Sequence, residues 1–216
     1  MSKRASRLLL RYTLSVNVVV TITMTGLTVD RLKQQALALG FHAVGIAAVP
    51  PPDQPDGHRD RANAHLQAWL DQGHAADMGW MAAPRRQDIT QVLPSVRSVI
   101  ALAMNYYTPE QRPEGQAYAK ISRYGWGRDY HRVLTKRLKA LSAWLHDQAE
   151  GIETRYYVDT GPIADKVWAE RAGLGWIAKN GNLITRQFGS WVFLGEILIN
   201  YDFPPDRPHP PPTNPR

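Results

Sequence analysis

From Thr28 the chain settles into apolar positions three and four residues apart. Val29, Leu32, Ala36 and Leu39 share one helical face, and Gly40 supplies the stop. Thr28 is placed to cap this helix, because its hydroxyl can accept from the unpaired amides of the first turn. Residues 41–47 then read as a strand, and residues 49–57, crowded with Pro and Asp, as a loop. A second helix over residues 59–72 would turn Leu66, Trp69 and Leu70 to the core and end at Gly73. Residues 96–104 are an unbroken apolar run of strand length, the pattern of a central strand covered on both faces. Leu134, Leu138, Leu141 and Leu145 recur at helical spacing and predict a long amphipathic helix docked on the sheet.

A short strand over residues 155–158, a helix with Pro162 in its first turn and Gly173 and Gly175 at its end, and a last apolar strand over residues 190–199 complete the pattern. Helices that alternate with strands predict an α/β or α+β fold, with a central mixed sheet covered by helices and no internal repeat. Two stretches do not declare themselves. Residues 106–116 form a Pro-containing loop, and Met78, Trp80 and Met81 sit beside Arg85 and Arg86, where they would plug the core or line a ligand. Core filling is the expectation for these large apolar side chains.

Composition narrows the chemistry. The 216 residues are 44% hydrophobic and include no cysteine, which excludes disulfides, thiolate zinc sites and iron-sulfur clusters held by this chain. A net charge of +7 favours a polyanionic partner such as nucleic acid, or else a solvated basic surface. The first 26 residues have a basic start and a short apolar run broken by Asn17 and Thr21. With no small-residue cleavage pattern they predict neither export nor a membrane span, and read as an extension or a start codon assigned too far upstream.

Candidate polar groups gather late in the chain. Asp159 falls where a strand gives way to a helix, the usual place for functional groups in layered sheets, although Asp-Thr-Gly ahead of Pro162 also reads as an ordinary helix cap. Lys179 and Asn180, after Gly175, suit a phosphate or an amide, or a solvated turn. Residues Arg128, Asp129, Tyr130 and His131 form a polar cluster beside Gly125 and Gly127, where the backbone could approach a ligand closely or merely turn. His42, His65, His74 and His131 lack metal-ligand spacing, and neither a dinucleotide fingerprint nor a Walker lysine is present.

Five segments, in order and spacing, carry a resemblance: Arg123-Tyr-Gly-Trp-Gly-Arg-Asp-Tyr-His131, Val158-Asp-Thr-Gly-Pro162, Ala169-Glu-Arg-Ala-Gly-Leu-Gly-Trp176, Lys179-Asn180 and Gly189-Ser-Trp-Val-Phe-Leu-Gly-Glu196. Over residues 27–208 the chain resembles the amino-terminal domain of epoxyqueuosine reductases, cobalamin-dependent enzymes that complete queuosine in tRNA. The resemblance implies a cytoplasmic protein that binds cobalamin against a sheet and acts on tRNA bearing a queuosine precursor at the wobble position. It places the catalytic proton donor on Asp159 and the cobalamin contacts on Arg86, Ser122 and Asp159, with Lys179, Asn180, Leu183 and Leu194 in segments that close round the corrin. Converting an epoxide to an alkene removes an oxygen as water, and a carboxylic acid suits the protonation. Asp159 would need the weakly polar corrin face to keep it protonated near neutral pH.

The chain departs from the family pattern after Asp206-Arg-Pro. Where the cysteine run for two [4Fe-4S] clusters should begin, residues 209–216 are a Pro-rich tail. The expectation is therefore the cobalamin-binding, acid-bearing half of such an enzyme, its ferredoxin-like domain missing through truncation, frameshift or a split gene, and the chain either an inactive fragment or dependent on a separate iron-sulfur electron donor. Two other classes are open to the same residues: a non-catalytic cobalamin-binding module, and a basic RNA-binding domain without cofactor.

Overall fold

The computed structural model describes residues 26–51, 53–54, 56–111 and 119–210. The amino-terminal extension, apart from Gly26, and residues 211–216 of the tail lie outside the described residues, as does part of the 106–116 loop. Thr28 caps helix α1 (Val29–Ala38), its hydroxyl accepting from the Arg31 amide at 3.3 Å. Gly40, with φ of 89°, turns the chain into strand β1 (Ala43–Ala48). Helix α2 (Gly57–Asp71) follows, then short 3-10 turns at Gly79–Ala82, Pro84–Arg86 and Ile89–Gln91, and strand β2 (Ser98–Asn105). A further turn at Arg123–Gly125 leads to helix α3 (Tyr130–Gln148), strand β3 (Thr154–Tyr157) and helix α4 (Asp165–Arg171). The small hairpin β4 (Trp176–Ile177) and β5 (Leu183–Ile184) precedes the last strand, β6 (Val192–Ile199).

The main sheet has the order β1-β2-β6-β3, and helices cover both faces, as expected. Its strand directions differ from the expected mixed sheet: all its pairings are antiparallel, with Ile46 opposite Ile100 and Ile100 opposite Ile197. Apolar periodicity reports which face a residue takes and carries no strand direction. In β2, Ile100 and Leu102 point to one face and Val99, Ala101 and Ala103 to the other, all of them sealed from solvent. On the first face they meet Leu134, Leu138, Leu141 and Leu145 of α3 and Leu32 and Ala36 of α1. On the second they meet Trp168, Ala169 and Ala172 in and after α4.

Close approach fixes the second face. A Cβ on Gly45 of β1 would lie 2.0 Å from the Ala172 carbonyl oxygen, so the end of α4 rests on bare backbone.

Three local expectations are corrected. Leu66, Trp69 and Leu70 are only half-buried and belong to neither core cluster, because α2 is rich in His, Gln, Asp and Ala and has no apolar stripe wide enough to dock. Trp80 is 55% exposed and Met78 lies at the surface, the core beneath being filled by Ile89, Leu93 and Val96. Pro162 stands ahead of α4, which begins at Asp165 after a longer turn. Among the described residues no helix is long and apolar enough to cross a membrane.

Candidate active site

The segment that leaves β3 makes the site. Asp159 has φ of 56°, a left-handed conformation uncommon outside glycine, and such strain gathers where a side chain must be aimed. The turn then folds back over its own strand: a Cβ on Gly161 would lie 2.5 Å from the Tyr157 ring. Arg86 Nη2 pins the turn by donating to the Gly161 carbonyl at 3.2 Å, and the Arg86 guanidinium lies over the Trp80 ring at 4.3 Å.

Asp159 is not a helix cap, for Ala164 holds that position in α4 and no side chain caps the helix. Its Oδ2 instead accepts from the Tyr130 hydroxyl at 3.0 Å and lies 3.2 Å from His131 Nε2. His131 Nδ1 lies 3.0 Å from Asp129 Oδ1, and that same oxygen caps α3 by accepting from the His131 amide at 3.0 Å. Both ring nitrogens of His131 thus face carboxylates. Burial opposes protonation of His131, yet hydrogen bonds and charge from Asp129 and Asp159 outweigh it and raise its pKa above the usual histidine value. The bonds from His131 lower the Asp129 pKa in turn. Burial, then the bond to Asp159, push Tyr130 up to about 12, so it stays a donor. Its ring is stacked between His131 and Phe193, with centroids 4.0 Å and 4.1 Å away.

Asp159 and Tyr130 stand on the wall of a cleft of about 500 Å³ whose apolar floor is Val192, Phe193 and Leu194 of β6 with Ile163. Arg86, Trp80, Asp165 and Lys166 complete its polar side. Lys166 Nζ donates to the Gly181 carbonyl at 2.7 Å and so ties the cleft to the turn between β4 and β5. Asp165 is pushed up to about 7, by burial first and then by the charge of Asp159, against the pull of Arg86 and Lys166. Behind it on β6, Glu196 is wholly buried and shifted well upward, by burial and then by Asp165.

The residues named from sequence divide on this geometry. Arg86, Asp159 and Leu194 share the cleft. Lys179 and Asn180 lie exposed in the turn that Lys166 holds, with Asn180 Oδ1 accepting from the Asn182 amide at 3.1 Å. Leu183 is 4% exposed and packs with Trp168 and Leu174 beneath the site, outside the cleft lining. Ser122 is exposed ahead of the Arg123–Gly125 turn, beside an aromatic group in which the Arg123 guanidinium lies 4.9 Å from Trp126, 5.1 Å from Tyr107 and 5.6 Å from Trp191. Sequence reasoning missed the roles of Tyr130, His131, Trp80, Asp165 and Glu196. A signal existed for Glu196, the single charged residue in the apolar run of β6.

On the other flank of Asp129 a groove of about 650 Å³ is bordered by Arg128, Arg132, Lys136 and Arg137. Arg137 is committed to the Gly40 carbonyl at 2.6 Å, whereas Arg128, Arg132 and Lys136 make no hydrogen bond or ion pair with described residues.

The family model described as Epoxyqueuosine reductase QueG, DUF1730, matches residues 86–160, the stretch from the Arg86 turn to the Asp159 turn. An epoxyqueuosine reductase of Synechocystis sp. is 59% identical over 166 residues, which are 77% of this chain and 56% of that protein. A crystal structure of an epoxyqueuosine reductase with a tRNA-Tyr epoxyqueuosine-modified stem loop superposes with a TM-score of 0.71 at 30% identity, covering 84% of this chain and 47% of that one. A reductive dehalogenase structure, tied to B12-dependent dehalogenation, shares the fold at a TM-score of 0.54 and 18% identity, over 85% of this chain and 20% of that one. The chain spans about half the length of the curated relatives it matches. With 59% identity to one such reductase over 166 residues and the fold of another, the chain belongs to the epoxyqueuosine reductase family.

Proposed function

We propose that this chain is a cobalamin-binding, acid-bearing domain, formed by residues 27–208, that reduces epoxyqueuosine to queuosine at the wobble position of tRNA, in the cytoplasm, with electrons from iron-sulfur clusters held outside these 216 residues. The observation that carries the reading is Asp159, held in a left-handed conformation on the cleft wall by Tyr130 and His131. A strained carboxyl with two positioned partners is costly as structure and useful as a proton donor.

The cleft fits a corrin. Its floor of Val192, Phe193 and Leu194 offers an apolar surface for a flat macrocycle, and Arg86 and Lys166, with Lys179 and Asn180 just beyond, offer donors to the amide groups at the ring edge. Ser122 would contact the ring from the exposed turn before Arg123, and Leu183 would support the floor from below. Bound there, cobalamin supplies the electron transfer that opens the epoxide. Asp159 is the proton donor to the departing oxygen, Tyr130 and His131 aim its carboxyl, and the Arg86 bond to Gly161 keeps the turn from swinging away. The chain has no cysteine, and so the electrons must come from outside it.

The partner is a polyanion by charge. Arg128, Arg132 and Lys136 border a groove next to the Asp129–His131 pair, where they suit the phosphates of an RNA stem. The test is to supply the purified chain with cob(II)alamin, a low-potential reductant and tRNA carrying epoxyqueuosine. A changed cobalamin spectrum together with formation of queuosine is the expected result, and loss of both would remove the reading. A changed spectrum without conversion under any reductant would favour a non-catalytic cobalamin-binding module.

A further inference from the structure

Behind Asp159 lie two carboxyl groups without a role so far. Asp165 opens α4 and lines the same cleft as Asp159, and its Oδ1 is buried with no hydrogen-bond partner. Glu196 is 0% exposed on β6, opposite Tyr157 in the strand register, and neither of its oxygens has a partner. Its direction follows from its neighbour: a Cβ on Gly195 would point at Leu138 of α3, 3.1 Å away, so Leu194, Glu196 and Leu198 turn to the opposite face. Leu194 is on the cleft floor and Leu198 packs in the cluster beneath α4. Glu196 therefore sits one side-chain step below the cleft, on the side of Asp165.

An ionised carboxylate without a partner cannot be kept in a sealed interior, so Glu196 stays protonated, and Asp165, with one oxygen cut off from water and unpaired, is pushed the same way. The surrounding charges do not rescue it. Arg86 is engaged with the Gly161 carbonyl and the Trp80 ring, and Lys166 with the Gly181 carbonyl. Asp159 brings no positive charge, Tyr157 is the neighbour across the strand pair, and no ion pair with Asp165 or Glu196 occurs among the described residues. The upward shifts of both carboxyls agree with this geometry.

We propose that Asp165 is a second catalytic acid of the cleft, and that Glu196, staying protonated behind it, is its positioning residue. The inference rests on the reading of the chain as an epoxide reductase. Turning an epoxide into an alkene breaks two C–O bonds and forms one C=C bond. Two electrons enter, from the external low-potential donor by way of the cofactor, and two protons finish on the oxygen that leaves as water. Asp159 gives the first proton as the ring opens. Asp165 gives the second to the same oxygen as the remaining C–O bond breaks. A departing hydroxide is far more basic than either carboxylate, so direct transfer from Asp165 runs downhill. A neutral Glu196 lets the new charge on Asp165 form without a second anion beneath it.

The first test needs neither cofactor nor substrate. Infrared spectra of the chain across pH should retain a protonated-carboxyl band well above the range in which ordinary Asp and Glu titrate. Glu196→Gln should delete the component that survives to the highest pH, and Asp165→Asn the component that titrates near neutrality. A band that vanishes with the ordinary carboxyls, or that neither variant changes, overturns the proposal. The second test is single-turnover conversion of epoxyqueuosine tRNA by chain loaded with cob(II)alamin. Asp165→Asn should slow queuosine formation roughly 100-fold, the usual worth of a general acid, while cobalamin binds as before. Glu196→Gln should keep most activity but move the upper limb of the pH profile. An Asp165→Asn variant as fast as wild type overturns the second acid. Wild type that shows the infrared band but makes no queuosine overturns the reductase reading on which the second acid depends.

Discussion

Tyr130 reaches across from α3 to give its hydroxyl to Asp159 Oδ2 at 3.0 Å while its ring lies parallel on Phe193 of β6, 3° from coplanar. One side chain thus fastens the acid to the sheet. The stacked ring has little freedom left, so the hydroxyl arrives at Asp159 from a fixed direction.

Asp159→Asn keeps the shape of the side chain and removes its proton. Queuosine formation should fall by roughly 100- to 10,000-fold, with cobalamin affinity changed only a few-fold. Single-turnover assays alongside a spectroscopic titration check both halves. A fall in binding as large as the fall in rate would show that Asp159 holds the cofactor rather than serving it.

Tyr130→Phe leaves the stack on Phe193 and deletes the bond to Asp159. Because the carboxyl is well exposed, the effect should be modest, about 1 kcal/mol or a five- to tenfold loss of rate with the fold intact. Loss of thermal stability instead of rate would place the value of Tyr130 in packing.

Gly161→Ala should destabilise the chain by roughly 1–3 kcal/mol, since the added methyl would collide with the Tyr157 ring and force the Asp159 turn to shift. The same substitution should cost activity beyond its effect on stability. Thermal unfolding and turnover, measured on one preparation, separate the two.

Asp165 gives the stability of the fold a definite dependence on pH. Its folded pKa, about 7, lies above the unfolded value of 3.8, so the native state binds the extra proton and stability declines as pH rises between those values. Above about pH 7 the whole penalty is in place. Asp165→Asn should therefore be more stable than wild type at pH 8, by an amount on the order of a few kcal/mol, and should lose the advantage as pH is lowered towards 4. Urea unfolding at several pH values checks the sign.

Replacing Arg128, Arg132 and Lys136 together by Ala should weaken tRNA binding and flatten its salt dependence. If each cation neutralises a phosphate, the slope of log K against log salt should drop by roughly 2 to 3. Anisotropy with a labelled anticodon stem loop reads this directly, and cobalamin titration should not change.

The helices and strands were legible because their apolar periods are strong: Leu134, Leu138, Leu141 and Leu145 all reach full burial, and the run through β2 is covered on both faces as its composition requires. Asp159 could be singled out because it lies at a strand exit in a recognisable motif. Tyr130 and His131 stood out as part of a polar cluster, but not as its partners, since they reach it only through the packing of α3 on β6. Trp80 misled because a large ring implies burial only until a guanidinium supplies it with a surface partner. Strand direction was equally hidden, periodicity being blind to it. Asp165 looked like an ordinary first-turn acid, and only the depth of α4 against the sheet shows that it has been drawn out of water.

That depth is set elsewhere. At Gly45 the sheet offers no side chain to hold α4 off, and the Ala172 carbonyl settles where a methyl would otherwise be. The helix is short, so a change in its seating at one end is passed rigidly to Asp165 and Lys166 at the other. A strand on the far edge of the sheet from β3, with no side chain on the cleft wall, thereby sets the seating of the helix that brings Asp165 and Lys166 to the cleft.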